Sequence, residues 1–322
     1  MRAPSASARN SFSTSASSAR GVSHRHRNLG NPDHDPQFRR ARRPFKGFKS
    51  VYTDAYDKTP VFYDKIAMTI PSSARDETYG WLGQFPQLRE WLGGDRVVKD
   101  LTAHSFSIVN RKFESTVSVR REDFADDRLG IFKPMFAEMG HNARQHPDEL
   151  IFPLIATGFA TLCYDGQNFF DTGHPSVDAQ GNAVTVSNMQ AGTDPTWYLF
   201  DTSRAIRPII WQEREKYEFE SLTRSNDSHV FMTDEYLYGI RARVNAGFGL
   251  WQLAFASQAP LTAANYAAAR ASMMTLRGDQ GRLLGTKPTV MVVPPALEET
   301  GRILLNNERL DTGASNPWKG SA

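Results

Sequence analysis

The chain has 322 residues, of which 40% are hydrophobic, 11% aromatic and 23% charged, a composition that supports a large buried core and excludes a disordered or collagenous chain. No apolar run approaches the roughly 20 residues of a membrane-spanning helix, and the single cysteine, Cys163, excludes an internal disulfide framework and a cysteine-rich metal site and favours an intracellular setting. The formal charge of +3 averages two unlike parts: residues 1–46 carry ten Lys and Arg against Asp33 and Asp35, a net +8, which leaves a net −5 for residues 47–322.

Residues 1–44 form a basic, Ser- and Arg-rich leader with Asn31-Pro32-Asp33 and Pro36. It shows no apolar periodicity, so disorder is expected. Three readings compete: an arm that neutralises a polyanion, an organellar targeting leader, and mis-translated sequence. A secretory signal is excluded, because no apolar segment follows the charges. Gln37–Pro44 can be encoded so that the next frame reads Asn-Ser-Ala-Ala-Leu-Ala-Ala-Leu, a plausible helix start, which places a frameshift near Pro44 among the expectations.

Phe45, Phe48, Val51, Tyr52 and Tyr56 then recur at helical spacing until Pro60, predicting a short amphipathic helix in an arm over 45–77. Ile66, Met68 and Ile70 alternate ahead of Pro71-Ser72-Ser73, a strand followed by a turn. Residues 78–112 combine Trp81, Phe85, Leu88 and Trp91 with Gly80, Gly83, Pro86, Gly93 and Gly94. One reading is a hairpin with an aromatic tip packed on its own domain. The other is an extended loop whose tryptophans are buried against another subunit, since Trp is enriched at interface anchors.

Phe113–Val119 alternates as a strand. Asp127 is a candidate N-cap for a run carrying Leu129, Ile131, Phe132, Met135, Phe136 and Met139, broken by Pro134; a second run starts after His146-Pro147 and carries Leu150, Ile151, Leu154, Ile155 and Phe159. Together these predict two stacked helical segments forming one spine. Turn signals crowd 163–200, and strands are expected over 197–200, 209–211, 231–232, 236–244 and 249–255. A helix over 263–274, a buried strand over 287–294 and a helix over 296–306 complete an α+β chain with a mixed sheet.

The search for chemistry is mostly negative. No nucleophile elbow, Walker A loop or H-E-x-x-H occurs, and Gly247-Phe248-Gly249 lacks the third glycine of a dinucleotide fingerprint. His141 and His146 stand five apart, a spacing that does not put two imidazoles on one helix face. The densest polar run, Tyr164 to Pro175, offers Asp165, Asp171 and His174 to a soluble hydrolase as its acid–base groups; read blandly, Asp165-Gly166 and Gly173-His174-Pro175 are turns. The charges of Glu213–Lys216, Arg207, Arg241 and Arg243 can pair across strands or across a subunit boundary.

Six long words, Tyr63–Met68, Glu77–Pro86, Leu88–Trp91, Asp148–Phe152, Cys163–Asp171 and Gly247–Gln252, closely resemble the major head (capsid) protein of Mu-like bacteriophages, in the same order and from about residue 45 onward. The resemblance implies an α+β subunit of HK97-like fold with no catalytic activity, cofactor or metal. It implies self-assembly through hexamers and pentamers into an icosahedral virion shell around double-stranded DNA, built in the host cytoplasm with scaffold, protease and portal proteins and without a membrane. It likens residues 78–112 to the extended loop, with Trp81, Phe85, Leu88 and Trp91 in inter-subunit contact. By the same resemblance 113–185 holds the peripheral domain with the spine helix, and 186–322 the remaining peripheral strands and the axial domain. Residues 1–44 lie outside it, and a last strand beyond Ala322 is expected to be missing.

Overall fold

The computed structural model describes residues 36–80, 106–126, 129–278, 281–309 and 313–322, and the fold belongs to the unit Arg43–Ala322. The first helix, α1 (Pro36–Lys58), is followed by a single turn, α2 (Tyr63–Ile66), and by strands β1 (Ala67–Pro71), β2 (Asp76–Thr78), β3 (Ser107–Val109) and β4 (Arg111–Arg120). α1 therefore begins at Pro36, inside the stretch whose composition predicts disorder; Pro suits the first turn of a helix, where its missing N–H would have no partner. A short α3 (Arg121–Ala125) leads to the long α4 (Leu129–Ala156). Two segments were expected here, yet α4 is one helix with Pro134, Pro147 and Pro153 inside it. Its first half buries Phe136, Met139 and Ala143 against the first sheet, and its second half buries Ile151 and Ile155 in the central core. Packing at both ends outweighs the backbone bonds that the prolines remove. Asp127, the expected cap, lies outside the described residues.

Four short strands follow, β5 (His174–Val177), β6 (Ala183–Val186), β7 (Met189–Gln190) and β8 (Trp197–Phe200), then the 14-residue β9 (Ile209–Leu222). Residues 231–232, expected as a strand, belong to the helix α5 (Ser228–Thr233). Phe231 donates its N–H to Asp227 and Asp234 donates to Val230, after which Asp234 adopts a left-handed backbone and ends the turn. Only Val230 is buried, while Phe231 and Met232 are 79% and 78% exposed, so apolar content mimicked a strand without a core behind it. β10 (Glu235–Phe248), β11 (Ala254–Ser257), α6 (Ala263–Met274), β12 (Val290–Val292) and α7 (Glu298–Asn306) complete the order. The strand expected over 249–255 begins at Ala254, because Trp251–Leu253 winds into a 3₁₀ turn.

The first sheet has the order β1-β9-β10-β4, with β1 and β9 parallel and the rest antiparallel; the second runs β12-β8-β11-β7, with β11 and β7 parallel. Both are mixed, as the sequence implies. β10 alternates cleanly, burying Tyr236, Tyr238, Ile240, Ala242 and Val244 toward the helices and turning Arg241 and Arg243 outward. α1 and α4 cover that face, Phe48 stacking on Phe136 at 4.2 Å and Tyr52 on Phe219 at 4.9 Å. The two helices meet at Gly140, where an added Cβ would stand 2.4 Å from the Tyr52 carbonyl oxygen. α6 and α7 back the second sheet through Trp197, Leu199, Tyr266 and Leu304. Between the sheets a central core gathers Ile66, Phe169, Phe170, Trp211, Phe248 and Trp251. No helix among the described residues is long and apolar enough to cross a membrane.

Candidate functional site

The polar run of 163–175 is brought together by its own turn. Cys163 donates its N–H to the Gln167 carbonyl, Gly166 takes a positive φ of 84°, and Gln167 donates to Asp165 Oδ1 at 3.0 Å. This aims the Asp165 carboxylate inward, where Oδ2 lies 2.7 Å from His174 Nδ1 and Oδ1 accepts from the Cys163 thiol at 3.0 Å. The imidazole has 0% exposure and stacks on Trp251 at 3.9 Å between centroids and 12° between planes. Burial pushes the Asp165 carboxyl upward, but the hydrogen bonds from His174, Cys163 and the Gln167 N–H outweigh it and hold the group below the usual carboxylate range. Burial pushes the Cys163 thiol well above its ordinary value.

The hydrolase reading fails on this geometry. Asp171 faces its own loop, accepting from the Gly173 N–H at 2.9 Å and from Asn168 at 3.4 Å, while its N–H donates to Asn188. His174 opens β5 instead of sitting in a turn, and an imidazole with no exposed surface meets no substrate. Cys163, Asp165 and His174 place donor atoms within 4.8 Å of one another. The carboxylate already binds both the thiol and the imidazole Nδ1, which ties the 163–168 turn to β5, while His174 Nε2 is buried without a hydrogen-bond partner among the described residues. The two other histidines part company: His141 Nδ1 lies 3.1 Å from the Thr59 hydroxyl, and His146 Nδ1 lies 2.6 Å from the Tyr217 hydroxyl.

Trp81, Phe85, Leu88 and Trp91 lie outside the described residues, but the base of their segment is on view. β2 pairs with β3 antiparallel, and Tyr79, 3% exposed, donates its N–H to the Phe106 carbonyl. The Tyr79 hydroxyl donates to Gln212 Oε1 at 2.7 Å, and Gln212 Nε2 donates to the Ile108 carbonyl at 3.0 Å and to Asn110 Oδ1 at 2.9 Å. Burial raises the Tyr79 phenol to about 12, which keeps it a donor at any working pH. Asn110 reaches back to the Ser72 hydroxyl and the Ala74 carbonyl. Gln212, with 0% exposure, thus clasps both ends of the segment. A glutamine within Trp211-Gln212-Glu213 gives no sequence signal for this; only the pairing of β9 beside β1 brings it beneath Tyr79 and Ile108.

The charged strands pair within the subunit. Glu215 lies 2.9 Å from Arg241 and 3.2 Å from Arg243 across β9 and β10, and Arg207 donates to the Asp64 and Ala67 carbonyls. Arg214 donates to the Ser72 carbonyl at 3.0 Å.

Two mixed sheets and one long helix shared by two cores match a shell subunit of HK97-like fold. A chain of the procapsid of bacteriophage JBD30 superposes with a TM-score of 0.77 at 46% identity, covering 88% of this chain and 95% of that one. The major capsid protein of Escherichia phage Mu is 47% identical over 284 residues, 85% of this chain and 92% of that protein. The Mu-like prophage FluMu major head subunit of Haemophilus influenzae is 42% identical over 272 residues, covering 82% and 88%. The chain belongs to the Mu-like prophage major head subunit gpT family, whose model matches residues 42–322. It is the major capsid subunit of a Mu-like phage head.

Proposed function

We propose that this subunit self-assembles through hexamers and pentamers into an icosahedral shell around double-stranded DNA, built in the host cytoplasm before it becomes part of the virion. Residues 78–112 act as the extended loop that lies over a neighbouring copy, with Trp81, Phe85, Leu88 and Trp91 in the contact. α4 is the spine of a peripheral domain over 113–185, and 186–322 holds the remaining peripheral strands and the axial domain. Scaffold, protease and portal proteins act on the same shell. Packaged DNA meets it without sequence preference, the net −5 of residues 47–322 limiting adhesion.

The observation that carries the loop reading is the Gln212 clasp: one buried side chain holds both Tyr79 and Ile108, the described residues on either side of 81–105. A repeated subunit also needs broad complementary contacts more than one deep pocket. Coexpression with the neighbouring scaffold gene followed by electron microscopy tests it. The unaltered chain should give shells, and the double variant Trp81→Ala, Trp91→Ala should give a soluble, folded subunit and no shells. Normal shells from the double variant would sink the loop reading.

A further inference from the structure

One cleft, about 320 Å³ in volume, is left open where α4 crosses β4, and the half-buried imidazole of His146 stands in its wall. The ring spans the gap between helix and sheet. Its Nδ1 lies 2.6 Å from the Tyr217 hydroxyl on β9, and it meets the Phe113 ring of β4 edge to face at 4.3 Å between centroids. Burial pushes the Tyr217 phenol well above its ordinary value, so the hydroxyl keeps its proton and can donate to a bare Nδ1 of the neutral ring. With a second proton both ring nitrogens are donors, and that bond is lost in this form. Few charged groups face the ring among the described residues. β4 brings the exposed Glu114 and Arg111, whose guanidinium lies over the same Phe113 ring at 5.0 Å; α4 brings the exposed Glu149; β9 brings Tyr217, and β10 only Ile240 and Ala242. Burial disfavours the imidazolium, Glu149 favours it and Arg111 disfavours it, with the net result that His146 is held below its ordinary value.

We propose that His146 is an acid-sensitive catch between α4 and the first sheet. Neutral, the ring ties the middle of α4 to β4 and β9; protonated, it turns out of its seat toward Glu149 and water, and this stretch of the helix loosens. The cleft supplies room for that turn, and Glu149 an exposed partner for the cation. Neighbouring contacts keep the effect local. Asp148 accepts the N–H groups of Phe62 and Tyr63 on α2, and Ile151 and Ile155 sit in the central core, so the second half of α4 keeps its grip. Because the folded-state value of His146 lies below the unfolded one, about 6.5, the folded subunit loses stability as pH falls through the unfolded value, and the loss levels off below the folded one.

NMR of the full chain with labelled histidine tests the catch. The resonance missing from His146→Gln, a variant that keeps a polar partner for Tyr217 and has no titrating ring, belongs to His146. Its midpoint should lie below about 6.5, lower still in Glu149→Gln and higher in Arg111→Met. A midpoint at or above that value overturns the proposal. Amide exchange then reads the helix. Corrected for intrinsic rates, exchange at Asn142 and Ala143 should quicken at least about threefold more in the unaltered chain than in His146→Gln between about pH 7.5 and about pH 5, while Ile155 does not change. Equal quickening in the two chains overturns the catch, as does equal quickening at Ile155, which would make the acid effect global. If His146→Gln does not fold, the opposite shifts in Glu149→Gln and Arg111→Met assign the resonance, and the contrast between Ala143 and Ile155 in the unaltered chain decides. Absence of those shifts overturns the proposal.

Discussion

The two polar clusters of this subunit face opposite ways. At Asp165 three donors converge on one carboxylate and the histidine is wholly buried, so the carboxylate is occupied within its own chain. At the α4–β4 cleft the carboxylates of Glu114 and Glu149 are exposed beside apolar walls and have no cation of their own among the described residues. Residues that look catalytic in sequence have thus gone into holding a turn, while two ordinary glutamates stay at the surface, Glu114 accepting from the Thr116 hydroxyl and neither paired with a cation among the described residues. For a subunit whose work is assembly, unsatisfied surface chemistry is the better guide to function than a dense cluster of acids, thiols and imidazoles.

The comparison breaks first at His174. His174→Ala removes the ring between Trp251 and Asp165 and leaves a buried carboxylate with fewer donors, a change that costs about 3–5 kcal/mol when one partner of a buried pair is lost. Urea unfolding measures it; a loss under about 1 kcal/mol would mean the trio holds nothing together. The pH profile sharpens the same point. The folded-state pKa of Asp165 is lowered, so its contribution is fully present above the unfolded carboxylate value near 3.9 and is lost as pH falls through the folded value. The gap between the unaltered chain and His174→Ala should therefore narrow as pH falls through that acid window.

Gln212→Leu comes next. It keeps the volume and removes the acceptor of the Tyr79 hydroxyl and the side-chain donor to the Ile108 carbonyl. The expected loss is about 1–3 kcal/mol, the usual penalty for stranding a buried partner. Amide exchange should quicken at Tyr79 and Asn110 before it quickens in β10. Uniform exchange across the first sheet would remove Gln212 from its role as the anchor of the segment.

How much of this was legible follows from whether the deciding force acts locally. β10 reads correctly because one face is buried along nearly its whole length, β4 because Phe113, Val117 and Val119 alternate with polar residues, and 263–274 because Thr262 caps it and Ala fills it. α4 was split in two at its prolines, since nothing in the sequence says that two separate cores grip its halves. Phe231-Met232 passed for a strand because composition does not distinguish a buried apolar pair from an exposed one. At the candidate site, Asp165 and His174 were singled out and do meet, but their burial depends on Trp251, far along the chain. Gln212 was missed altogether, since its partners arrive from β1–β3 only after the sheet forms.

The smallest expected effect separates pairing within a subunit from pairing between subunits. Glu215 bridges Arg241 and Arg243 on the outward face of the first sheet, with its side chain 33% exposed. Solvent competes for all three groups, so Glu215→Gln should cost under about 1 kcal/mol and the difference should fade in high salt. Shell yield should stay unchanged, because both arginines are already matched inside the chain. A tenfold fall in shells with unaltered subunit stability would show that these arginines serve a neighbour instead.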